Sequence, residues 1–135
     1  MIKILYGRKG MGKTKIMLET ANNIARESSG NVIYIDDSNE LMTKLSHKIR
    51  FVNVFDYPIH GSSEFLGFIC GIASQDYDLK QLFIDGLTYI VNDDICNSEN
   101  FFQGIKKISA LCKFDLYISI NGDENNIPEF IKEFI

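Results

Sequence analysis

No apolar run in this chain approaches the roughly eighteen residues that a helix needs to cross a bilayer, which excludes a membrane span. No basic segment with an apolar core behind it precedes the first strand-like run at Ile2, which points to Met1 as the true start and to a cytoplasmic protein. Cysteine is scarce. Cys70, Cys96 and Cys112 are odd in number and far apart, which excludes a metal site or redox pair built on cysteine and leaves buried free thiols. His47 and His60 have no companion at metal-ligand spacing and read as surface residues, and no Ser–His–Asp or Cys–His arrangement stands out. A basic excess is missing too: 14 Lys and Arg against 18 Asp and Glu give a formal net charge of −4, which argues against nucleic acid as a partner. Lys44, Lys48 and Arg50 form one small basic cluster that reads as a solvated helix end. The 135 residues leave room for a single domain, residues 1–135, and none for a separate substrate domain; 45% hydrophobic and 24% charged residues is an ordinary globular balance.

What the chain does have is Gly7-Arg8-Lys9-Gly10-Met11-Gly12-Lys13-Thr14, set between the apolar run Ile2 to Tyr6 and a helical pattern. The spacing G-x-x-x-x-G-K-[ST] is that of a Walker A phosphate-binding loop. Residues without side chains at Gly7 and Gly12 let backbone N–H groups converge on an anion. Lys13 is then expected to reach the β- and γ-phosphates and Thr14 to offer its hydroxyl to Mg²⁺, while the helix that follows points the positive end of its dipole at the phosphates. The bland alternative is a glycine-rich strand–helix turn with two solvated lysines; the complete pattern, in its proper place between strand and helix, favours nucleotide binding.

Met17, Leu18, Ala21, Ile24 and Ala25 recur at three- and four-residue spacing and predict a helix up to about Glu27, stopped by Ser29-Gly30. Val32 to Ile35 reads as a strand covered on both sides, ending on Asp36-Asp37. Asp37 and Glu40 have the spacing of a capping box, with Leu41, Met42 and Leu45 as the apolar face of a second helix to about His47. A strand over Ile49 to Phe55 is closed by Pro58. Ser62 or Ser63 caps a third helix, in which Gly67 and Gly71 suggest close backbone packing. Leu79 to Ile84 is the fourth strand; Asn92-Asp93-Asp94 makes a turn; Phe101 to Cys112 is the fourth helix; Leu116 to Ile120 is the fifth strand, and Ile127 to Phe134 a terminal helix. Strands alternating with helices imply a parallel sheet with helices on both faces and all carboxyl ends of strands along one edge.

On that edge the fourth strand delivers Asp85, so that Leu82-Phe83-Ile84-Asp85 has the form of a Walker B strand whose carboxylate serves the metal, directly or through water. Gly86 follows it, where many ATPases of this class have Glu. Three residues remain to orient or deprotonate an attacking water. Asp36 and Asp37 stand at the end of the second strand, with helix capping as their bland reading. Asn121, at the end of the fifth, contacts the γ-phosphate or is a left-handed turn residue. The six tyrosines read as core or rim aromatics.

The loop, the Leu82 to Asp85 strand and the polar Asn121 one strand later resemble the additional-strand branch of P-loop ATPases, which includes RecA-type and KaiC-type proteins. Gly30 to Asp37, Gly67 to Asp76 and Phe83 to Gly86 are similar to a group of short stand-alone bacterial ATP-binding proteins labelled as twitching-motility ATPases; a pilus retraction motor itself is similar only in its nucleotide loop. The resemblance implies a three-layer αβα P-loop NTPase fold with a five-stranded, mostly parallel sheet. It also implies ATP and Mg²⁺ as ligands, with Gly7, Gly12, Lys13 and Thr14 on phosphate and metal and Asp85 on metal. It requires Leu116 to Ile120 to lie between Ile2 to Tyr6 and Leu82 to Ile84, whereas in the kinase–GTPase branch the Walker B strand pairs directly with the P-loop strand. The expected function is a weak or partner-activated ATPase, coupled to a protein partner or to further copies of the chain. A non-catalytic nucleotide sensor, favoured by Gly86, is the first alternative. A small-molecule kinase is the second, weakened by the lack of cysteine pairs for a zinc-binding lasso and of an arginine-rich lid. No N-K-x-D motif is present, which lowers GTP as the ligand.

Overall fold

A computed structural model describes residues 1–135. Its five strands are β1 (Ile2–Gly7), β2 (Asn31–Asp36), β3 (Ile49–Asn53), β4 (Leu79–Ile84) and β5 (Asp115–Asn121), with helices α1 (Lys13–Glu27), α2 (Gly61–Gln75), α3 (Leu87–Val91), α4 (Glu99–Cys112) and α5 (Glu129–Lys132). The strands form one sheet in the order β1-β5-β4-β2-β3, and every neighbouring pair is parallel. The fifth strand therefore lies between the first and the fourth, pairing Ile4 with Ile118 and Leu82 with Leu116.

Both faces of the sheet are covered, which is why the strands read as unbroken apolar runs. Val32, Tyr34 and Phe83 face α1, whose Met17, Ala21 and Ala25 bury one stripe against them. Ile33, Ile35, Leu82, Ile84, Leu116 and Ile118 belong to the larger core on the other face, filled by α2, α3 and α4. Phe65 of α2 and Phe101 of α4 stack there at 5.7 Å between ring centroids. The result is a three-layer αβα P-loop NTPase fold.

Four local expectations are corrected. The second helix does not form: after β2 the chain makes only a single 3₁₀ turn, Met42–Lys44. Leu41 and Leu45 still reach the core, but Asn22 of α1 takes the backbone, accepting from Ser46 N–H at 2.8 Å and donating to Lys44 O at 3.0 Å. The capping box goes with it, since Asp37 N–H donates to Asp36 Oδ1 and Glu40 N–H to Ser38 Oγ. Neither Ser62 nor Ser63 caps α2. That helix starts at Gly61, and Glu64 Oε1 accepts the His60 N–H at 2.9 Å. Gly67 and Gly71 face solvent, with no atom within 4 Å of where a Cβ would stand, so close packing is not their reason. The cysteines are free but not buried: Cys96 is exposed and Cys70 and Cys112 are half-buried.

The remaining stretch between β4 and β5 resolves into α3, a left-handed turn residue at Asn92 (φ 52°), a 3₁₀ turn Ile95–Asn97 and α4. The C-terminal segment runs back along the outer edge of β1, where Phe134 O accepts the Ile4 N–H at 2.9 Å.

Candidate functional site

β1 ends at Gly7 and α1 starts at Lys13, so five residues turn the chain from strand into helix. Gly12 is the N-cap of α1 with φ 85°, and Gly10 has φ 88°; a side chain at either would meet no neighbour within 4 Å but would be strained. Gly7 has ordinary φ and close neighbours instead. A Cβ there would stand 3.3 Å from Met11 Sδ and 3.3 Å from Glu124 Oε1. No side chain caps α1 and no acidic residue sits in its first turn, so the first N–H groups of a fifteen-residue helix are left to an anion. The Lys13 ammonium crosses the loop and donates to Gly7 O at 2.9 Å and Arg8 O at 2.7 Å. Burial holds its pKa below the usual lysine value, against the opposing pull of Asp85 and Glu124.

Opposite the loop, register brings the strand ends together. Ile84 pairs with Ile118 and with Ile35, so the next residues along, Asp85, Ser119 and Asp36, stand side by side on three strands. Asp85 is 6% exposed. Its Oδ1 accepts from Ser119 Oγ at 2.7 Å and from Thr14 Oγ1 at 3.4 Å, and its Oδ2 accepts from the Tyr34 hydroxyl at 2.7 Å. Ser119 Oγ in turn accepts the Gly86 N–H at 2.8 Å. Asp36 is buried as well, and burial pushes its carboxyl up to about 7, with the Asp85 charge adding to the rise and the Asp37 N–H opposing it.

A cleft of about 480 Å³ lies between loop and strand ends. Lys9, Gly10, Gly12, Lys13 and Thr14 line it from one side, and Asp36, Asp37, Asp85 and Asn121 from the other. Gly7, Arg8 and Met11 are outside the lining; the first two contribute carbonyls to Lys13, and Met11 is exposed. Asn121 is the last residue of β5, paired with Gly7, and is not a left-handed turn residue, since only Asn92 and Lys113 among non-glycines have positive φ. Sequence reasoning missed Ser119, Tyr34 and Tyr89. Ser119 had a signal, being the polar interruption of an apolar strand. Tyr34 had none, because tyrosine is at home in any strand. Tyr89 lines the cleft with Lys9 Nζ 5.8 Å from its ring centroid.

No group of three or more His, Cys, Asp or Glu is arranged to hold a metal by itself. Thr14 and Asp85 nonetheless suit Mg²⁺, which takes one or two protein oxygens and completes its shell with phosphate and water. The Thr14 hydroxyl spends its proton on Asp85 and keeps its lone pairs.

No family model matches the chain, and no curated protein matches it. Among solved structures, the flagellar accessory protein FlaH from Methanocaldococcus jannaschii is similar, with a TM-score of 0.65 and 14% identity, over 98% of this chain and 65% of that one. At this identity the likeness shows a shared fold. The chain spans just under two thirds of the length of FlaH.

Proposed function

We propose that the chain binds Mg²⁺–ATP in this cleft and is a weak ATPase, or one activated by a protein partner or by further copies of itself. The observation that carries the reading is the meeting of Thr14 from α1 and Asp85 from β4, 3.4 Å apart, beside a loop that turns through two left-handed glycines. Backbone N–H groups of the loop and the Lys13 ammonium bind phosphate oxygens, while Thr14 and Asp85 hold the metal. When bound, Mg²⁺ neutralises charge on the β- and γ-phosphate oxygens. Asp36, with a carboxyl pushed up to about 7, is poised to accept a proton from water near neutral pH. Asp37 and Asn121 line the same cleft and orient the water or the γ-phosphate. The strand order, with β5 between β1 and β4, counts against a small-molecule kinase.

A second reading, a nucleotide sensor without turnover, is favoured by Gly86. It is the left-handed N-cap of α3, with φ 77°, so no carboxylate follows Asp85. Release of γ-phosphate from Mg²⁺–ATP by the purified protein, set beside calorimetric ATP binding, separates the two. Turnover supports the ATPase, binding without turnover the sensor, and neither would sink the nucleotide reading.

A further inference from the structure

The carboxylate of Asp85 offers about four acceptor positions. Three are taken by the hydroxyls of Ser119, Thr14 and Tyr34, and the residue is almost fully buried. Ser119 has a second task, accepting the Gly86 N–H. The hydroxyl of Tyr34 has one partner, Asp85 Oδ2 at 2.7 Å.

The ring behind that hydroxyl is fixed. Tyr34 has no exposed surface and pairs in register with Phe83 on one side and Phe51 on the other. The rings stack at 5.7 Å and 6.4 Å, and Phe83 continues the row to Tyr117 at 4.6 Å, so four aromatic residues on four strands lie in one layer directly below the site. A phenylalanine would fill this layer as well as a tyrosine. Burying a phenol stabilises nothing unless its hydroxyl is paired, and the pairing is with the carboxylate.

We infer that Tyr34 is a positioning residue that, by holding Oδ2, locks the Asp85 carboxylate in the orientation that turns Oδ1 toward Thr14 and a bound metal. The inference rests on the Mg²⁺–ATP reading and deepens it: affinity for the metal is set from below the site, by a residue that touches neither nucleotide nor metal. Without the Tyr34 hydroxyl, Oδ2 loses its only hydroxyl partner, and the carboxylate, held through Oδ1 alone by Ser119 and Thr14, is fixed less tightly in its metal-facing orientation.

The test is calorimetric titration of ATP into wild type, Tyr34→Phe and Phe51→Leu, each in EDTA and at rising Mg²⁺. Tyr34→Phe keeps the ring stack and loses the hydroxyl; Phe51→Leu disturbs the stack and keeps the hydroxyl. Tyr34→Phe should raise the Mg²⁺ concentration for half-maximal enhancement of ATP binding by about tenfold or more, as loss of an outer-shell partner does, with Mg²⁺-free binding unchanged. Phe51→Leu should lower the melting temperature and leave the Mg²⁺ requirement where it was. Equal Mg²⁺ requirements in wild type and Tyr34→Phe would overturn the inference. So would loss of the fold in Tyr34→Phe while Phe51→Leu folds, since the hydroxyl would then serve stability. Wild type that binds no ATP would overturn the nucleotide reading instead.

Discussion

Asp36, the last residue of β2, and Asp85, the residue directly after β4, stand side by side because Ile35 pairs with Ile84, and both are buried. Burial penalises the charged form of Asp36, and the like charge beside it adds to that penalty. The Asp36 carboxyl rises from 3.8 to about 7, and Asp85 accepts from three hydroxyls.

This makes stability depend on pH with a definite sign. Between about pH 4 and pH 7 the native state keeps a proton on Asp36 that the unfolded state releases, so the contribution of this residue falls as pH rises through that window and levels off above it. Urea unfolding of wild type and Asp36→Asn across pH 4.5 to 8 isolates the effect. The variant should gain stability relative to wild type as pH rises; a constant difference would mean that Asp36 titrates alike in both states.

Lys13→Ala should leave the fold intact, since the ammonium bonds only to carbonyls of the loop itself. It should weaken ATP binding by roughly tenfold to more than a hundredfold, the worth of a charge-assisted hydrogen bond to phosphate. Calorimetry reads this directly, and unchanged affinity would refute the phosphate loop.

Asp85→Asn should cost the Mg²⁺ dependence of ATP binding more than binding itself, because in the proposed site the carboxylate would serve the metal and the loop N–H groups the phosphates. Titrations with and without Mg²⁺ should converge in the variant and differ in wild type. If they differ equally in both, Asp85 is only a strand end.

Gly12→Ala tests the loop backbone alone. The new methyl group meets nothing within 4 Å, so the cost is that of a left-handed conformation, roughly 1–2 kcal/mol of stability or a changed loop with lower ATP affinity. Equilibrium unfolding and calorimetry on the same variant should show one or both losses; wild-type values in both would contradict the left-handed turn.

Gly67→Ala and Gly71→Ala should each stabilise the protein by roughly 0.5–1 kcal/mol, because both glycines lie inside α2 on its solvent face with open space around them. Lower melting temperatures would indicate that something packs on that face.

Features carried by short patterns were legible in the residues alone. The strand–loop–helix turn from β1 to α1 was one, since a strand, two glycines, Lys13 and Thr14 make a local unit whose geometry needs little from the rest of the chain. The five strands were another, because apolar runs such as Val32 to Ile35 are long enough to announce burial on both faces. Asp85 could be nominated from the run that precedes it. The stretch from Asp37 to His47 could not be read, because its apolar spacing suited a helix while Asn22, far away in sequence, holds it as a loop. Tertiary structure alone decided that Tyr34 and Ser119 hold Asp85, and that Asp36 stands beside it with a raised carboxyl pKa. Those facts depend on strand order and register, which are fixed by how two faces of the sheet are buried at once, and on the desolvation and charge that result; no residue carries them by itself.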